Sequence, residues 1–270
     1  MALILDEIFE RRASVRIYGL GAVALGLLGL VWGDFAVVWQ PVPDAVPGTT
    51  PLGYIAAIPF LLAGLAIQWR RTAGPAALSL TLLYGLGVIF LDVPRVITHA
   101  SEFISWYGVA EPLALVAGAL VAYVLSTPLE PATAERLAKI GRLILGACLI
   151  VFGLAHLFYL AYTAKLVPVW LPPGQVFWAY ATAAGHFAAG IALLSGLYAR
   201  LGAVLLTAMF IVFGILVHAP TIIAHPHTHF YWAENAINLA LIGSAWVIAS
   251  SITTLPRNGA TKVALTHDVR

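Results

Sequence analysis

Leu143-Ile-Leu-Gly-Ala-Cys-Leu-Ile-Val-Phe-Gly-Leu-Ala-His-Leu-Phe-Tyr-Leu-Ala-Tyr-Thr-Ala164 runs for 22 residues without a charged side chain, directly after Arg136, Lys139 and Arg142. A helix of that length spans the ~30 Å hydrocarbon core of a bilayer. Lipid offers the backbone no hydrogen-bond partner, so a run of this kind must be helical. Comparable apolar windows recur at 17–38, 53–69, 75–91, 108–126, 177–196, 201–217 and 234–251. The reading is an all-α, polytopic integral membrane protein with about eight transmembrane helices.

Composition agrees: 61% of residues are hydrophobic, 10% are charged and the mean hydropathy is +0.93, against about 25% charged in ordinary soluble domains. The net charge of +2 comes with no basic block or RNA-type motif, so nucleic acid is not an expected partner. Cys148, the single cysteine, excludes an intramolecular disulfide, a CxxC redox pair and a cysteine-held iron–sulfur cluster. Neither a GxSxG elbow, a phosphate loop nor an HExxH helix occurs.

With the N-terminus inside, 12 of the 14 Lys and Arg residues are cytoplasmic and only Arg95 and Lys165 lie outside. The positive-inside rule therefore predicts two cytoplasmic termini.

The halves repeat at a shift of 126 residues. Gly64–Gly118 pairs with Gly190–Ser244 without a gap and 15 of 55 positions are identical, with Pro94/Pro220, His99/His225 and Trp106/Trp232 in one register. This is an internal duplication. It predicts two tandem, parallel four-helix bundles at 17–126 and 142–251, related by an axis near the membrane normal. Residues 127–141, with two prolines in the run 126–135, read as a cytoplasmic linker, and 252–270 as a cytoplasmic tail. In the N-terminal segment 1–16, Leu3–Arg12 reads equally as a short interfacial helix or a frayed terminus.

This topology places seven of the eight histidines in the membrane or on its outer side, together with Asp34, Asp92, Glu102, Glu111 and Glu234. Ionisable groups within a membrane are costly and point to a pocket or pathway. The expected pocket is in the second unit, centred on His156, His186 and His218 with Glu234 as charge partner, because His186 faces Phe60 and Glu234 faces Gly108 in the repeat. A haem held between His156 and His186 is an alternative use of that pair. His218, His225, His227 and His229 read either as a metal site or as a polar loop. Trp106 and Trp232 read either as an aromatic belt or as a lid over a flat ring such as a quinone.

Arg142-Leu-Ile-Leu-Gly146, the run Ala184-Gly-His-Phe-Ala-Ala-Gly-Ile-Ala-Leu-Leu-Ser-Gly-Leu-Tyr-Ala-Arg-Leu-Gly-Ala203, and Asn238-Leu-Ala-Leu-Ile-Gly243 resemble the DoxX-like family of four-helix membrane proteins. The resemblance covers about residues 140–250 and makes the first half a diverged copy. Family members include subunits of a thiosulfate:quinone oxidoreductase and proteins tied to membrane responses to oxidative stress. At His186 this chain departs from the family pattern, where an acidic residue often stands four positions before the glycine.

The resemblance implies a membrane subunit of a quinone-linked oxidoreductase or a scaffold in a membrane redox complex, with other membrane subunits as partners, and together with the histidines it leaves quinone or a His-bound metal as the expected cofactor. The expected place is a bacterial or archaeal inner membrane. A transporter moving protons or a small solute between the two repeats is the alternative.

Overall fold

The computed structural model describes residues 2–35, 40–42 and 46–254. Among these, the regular structure is entirely helical, and eight helices are long and apolar enough to cross a bilayer. They are α1 (Ala2–Trp32), α2 (Thr49–Ala66), α3 (Ala73–Thr98), α4 (Phe103–Ser126), α5 (Pro131–Phe158), α6 (Gln175–Ser195), α7 (Ala199–Ala224) and α8 (His229–Thr254). Arg257, Lys262, His267 and Arg270 of the expected tail lie outside the described residues.

Several boundaries differ from the apolar windows, for local reasons. No Gly or Pro interrupts residues 2–18, so the N-terminal segment is continuous with α1. The stretch expected as a linker is non-helical only at 127–130, because Glu130 and Pro131 start α5 early. Pro131 occupies the first turn, where its missing N–H is harmless. The Glu130 carboxylate accepts from the Ala132 and Thr133 N–H groups at 3.0 and 2.9 Å. Those bonds hold its pKa below the usual carboxylate range. At the other end α5 stops at Phe158, and a short helix, Leu160–Leu166, follows. Between α6 and α7 the chain reverses at Gly196, whose φ of 80° suits a residue without a side chain.

The order of packing is a closed ring with a bridge. Each helix lies against its sequence neighbour in α1–α2, α2–α3, α3–α4, α4–α5, α5–α6, α6–α7 and α7–α8, and α8 returns to α1. Helices α4 and α8 also pack on each other across the centre and are the two most deeply buried spans. The first helix of each unit therefore packs far more on the fourth helix of the other unit than on the fourth helix of its own. The units interlock instead of closing separately.

The repeat is visible in local detail. Both third helices widen into a π turn at matching positions, Val88–Asp92 and Gly214–His218, followed by Pro94 and Pro220. Gly118 and Ser244, partners at the 126 shift, meet where α4 crosses α8. A Cβ on Gly118 would collide with Ser244 backbone and side chain alike. Small residues let membrane helices approach this closely.

Candidate functional site

A cavity of about 420 Å³ opens in the end of the bundle opposite the chain's N-terminus. Helices α4 to α8 and the short helix after α5 all contribute to its wall. His156, His186, His218 and Glu234 line it together, from α5, α6, α7 and α8. Tyr107 and Glu111 also reach it from α4, which belongs to the first unit.

The two central histidines have defined roles for their nitrogens. His156 and His186 stand with ring centroids 4.8 Å apart, tilted by 41°. Nδ1 of His156 is 2.9 Å from the Phe152 carbonyl oxygen, and Nδ1 of His186 is 2.9 Å from that of Thr182. A carbonyl can only accept, so in a neutral ring Nδ1 carries the proton and Nε2 keeps its lone pair. Phe152, Phe210 and Phe213 surround His186 at 5.9, 5.9 and 6.2 Å between centroids, giving an apolar, aromatic wall.

The carboxylates add further acceptors. Glu111 is 5% exposed; its Oε1 accepts from the Tyr107 hydroxyl at 2.6 Å, and its Oε2 has no partner among the described residues. Glu234 is close enough to Glu111 to interact with it electrostatically. Partial burial and the charge of Glu234 push the Tyr162 phenol, on the short helix, above its ordinary range. Asn238 is buried beside these groups, with its amide donating to the Phe210 carbonyl at 3.0 Å, just before the α7 π turn.

The other residues singled out from the sequence go elsewhere. Neither Trp106 nor Trp232 lines the cavity. Each indole donates to a carbonyl six residues earlier, of Ala100 at 3.0 Å and Pro226 at 2.9 Å, and so pins the loop before its own helix. The loop histidines diverge: His225 stacks on Tyr231, His229 stacks on Trp32 of α1, and His227 is exposed. Among the described residues no three His, Cys, Asp or Glu side chains converge as a metal ligand set.

The matching place in the first unit is filled. Phe60 and Tyr84, the partners of His186 and Phe210, are both buried with centroids 5.0 Å apart. Tyr18, wholly buried, closes the space further and donates to the Leu115 carbonyl at 2.8 Å.

Residues 137–219, which carry three of the four cavity helices of the second unit, match the DoxX family. This segment is a DoxX-family domain. Neither the curated proteins nor the solved structures give a match to the chain. The DoxX domain contains His156, His186 and His218, whereas Tyr107, Glu111, Glu234 and Asn238 come from α4 and α8, outside the matched residues. Sequence reasoning missed Tyr107 and Glu111 as members of the pocket. Glu111 inside an apolar window was the available signal, but nothing local says that α4 faces the other unit.

Proposed function

We propose that this DoxX-family membrane protein is the ring-binding subunit of a quinone-linked oxidoreductase, with the cavity taking the head group of a quinol. The observation that supports this reading is the set of polar atoms on an aromatic-walled cavity: two imidazoles whose Nδ1 protons are taken by carbonyls, leaving Nε2 to accept, and the Glu111 Oε2, which has no partner among the described residues. A buried acceptor without a partner is costly. Its complement is an apolar ring that carries hydroxyl donors. Quinol and quinone interconvert by two electrons and two protons, the electrons passing to or from a redox partner in the membrane. The chain's own part is to hold the ring between Phe152, Phe210 and Phe213, and to accept or return protons at the histidine Nε2 atoms and the carboxylates. Transport between the units has less support, because α4 and α8 pack closely where Gly118 meets Ser244.

The test uses the protein in nanodiscs with decylubiquinol and its O-methylated ether, which keeps the ring and loses both donors. Decylubiquinol should bind saturably, and the ether at least about tenfold more weakly, from roughly 1–3 kcal/mol per unsatisfied buried group. His156→Phe and His186→Phe should each weaken the quinol by a similar factor and leave the helical content unchanged. Equal binding of quinol and ether, or parental binding by both variants, sinks the proposal.

A further inference from the structure

The opposite end of the molecule carries a second concave site of different chemistry. A cleft of about 870 Å³ lies between the start of α1, the α2–α3 turn and the end of α4. Arg11, Arg12, Arg16, Arg70 and Arg71 line it, and no Asp or Glu does among the described residues. Arg11 donates to the Leu125 carbonyl and Arg16 Nε to that of Gln68 at 3.3 Å, which fixes these two against the cleft wall. Among the described residues the recorded ion pair is Arg200 with Glu10, so Arg12, Arg70 and Arg71 are not neutralised in this way.

Further features suit an anion. The first turn of α3, at 73–75, forms part of the lining, and a helix N-terminus offers unpaired N–H groups and a positive dipole end. Thr127 also lines the cleft, and its Oγ1 is buried without a hydrogen-bond partner among the described residues. The remaining walls are apolar, with Val15, Ile67 and Leu125. Guanidinium groups over an apolar base, at the level where the spanning helices end, match a lipid head group better than a freely diffusing ion.

A general bias of positive charge to one membrane side would not concentrate them here. At the 126 shift Arg16 faces Arg142, but Arg11, Arg12, Arg70 and Arg71 face Leu137, Ala138, Gly196 and Leu197, so four of the five cleft arginines have no basic partner in the second unit. The volume exceeds that of one phosphate, and three exposed guanidinium groups beyond the two held by carbonyls favour more than one negative charge. We propose that this cleft binds the phosphate head group of an anionic phospholipid, and a two-phosphate head group best of all.

The experiment is native mass spectrometry of the full-length protein in detergent, titrated with cardiolipin, with phosphatidylcholine, and with inorganic pyrophosphate. Cardiolipin should be retained at one per chain, and phosphatidylcholine should not displace it. The exposed triple variant Arg12→Gln, Arg70→Gln, Arg71→Gln should bind cardiolipin on the order of a hundredfold more weakly, at roughly fivefold per guanidinium near a phosphate surface. Arg136→Gln with Lys139→Gln, basic residues of the second unit outside the cleft, should change little. Equal losses in the triple variant and this control, or no loss in the triple variant, overturn the site. Displacement of cardiolipin by equimolar pyrophosphate overturns the lipid assignment in favour of a soluble phosphate compound.

Discussion

In the first unit Phe60 and Tyr84 meet at 5.0 Å, where the second unit has His186 and Phe210 at 5.9 Å. Two stretches paired at the 126-residue shift thus treat the same register position in opposite ways, one packed with apolar and phenolic rings, the other opened into a cavity with polar groups. At the far end the contrast reverses: four of the five cleft arginines of the first unit face uncharged residues in the second. Duplication supplies a scaffold whose geometry is set by helix crossings, and the chemistry can then diverge wherever side chains do not make those crossings.

The strongest way to break the comparison is to attack what both units share. Gly118→Leu should cost at least about 1–3 kcal/mol from overpacking and prevent normal assembly, because the obstruction at Ser244 is backbone as well as side chain. Ser244→Ala, which removes only a hydroxyl at that crossing, should fold normally. The check is thermal unfolding in detergent; a stable Gly118→Leu protein would show that α4 and α8 do not need this approach.

The next test asks whether the site belongs to one unit or to both. Glu111→Gln, in the first unit, should weaken decylubiquinol about tenfold by exchanging an acceptor oxygen for an amide, at roughly 1–3 kcal/mol for a lost buried partner. Binding at parental strength would confine the site to the second unit. Phe60→His puts the second unit's residue into the filled interior of the first. It should destabilise the protein by about 1–3 kcal/mol through an unsatisfied imidazole and should create no new quinol site.

Smaller effects are expected where the units are alike. Trp106→Phe and Trp232→Phe each delete one indole-to-carbonyl bond, worth about 1 kcal/mol. The two losses in stability should match, with quinol affinity unchanged; a large loss of affinity from either would restore the lid reading. The smallest effect is expected at Glu130. Its pKa is held below the ordinary value by the Ala132 and Thr133 N–H groups, so its contribution is complete above about pH 4.3 and fades as pH falls through its folded value. Glu130→Gln should therefore lower stability slightly at neutral pH and flatten that acid-side loss in melting curves.

The placement of the candidate site was partly readable before the fold. His156, His186, His218 and Glu234 stand out because each interrupts an apolar stretch at a level its repeat partner leaves apolar or fills differently. Glu111 carried the same signal, but assigning it to the pocket needs the contact of α4 with α8 and α5, which no periodicity expresses. The arginines of the cleft read in the sequence only as a topological bias. Their convergence depends on the α2–α3 turn and the end of α4 coming beside the start of α1. The tryptophans and loop histidines had two readings each, and the structure adds their local partners: indole-to-carbonyl bonds for Trp106 and Trp232, ring stacking for His225 and His229.

The sequence by itself determined the eight spans, because an unpaired backbone in lipid is so unfavourable that any long apolar window must become a helix. The 126-residue register followed from the matched Pro, His and Trp positions. Only the tertiary structure decided that α1 rests on α8, that α4 bridges both units, and that Glu111 enters the other unit's cavity. Apolar helix faces look alike in lipid, so the choice of neighbour rests on close-packed details such as Gly118 against Ser244.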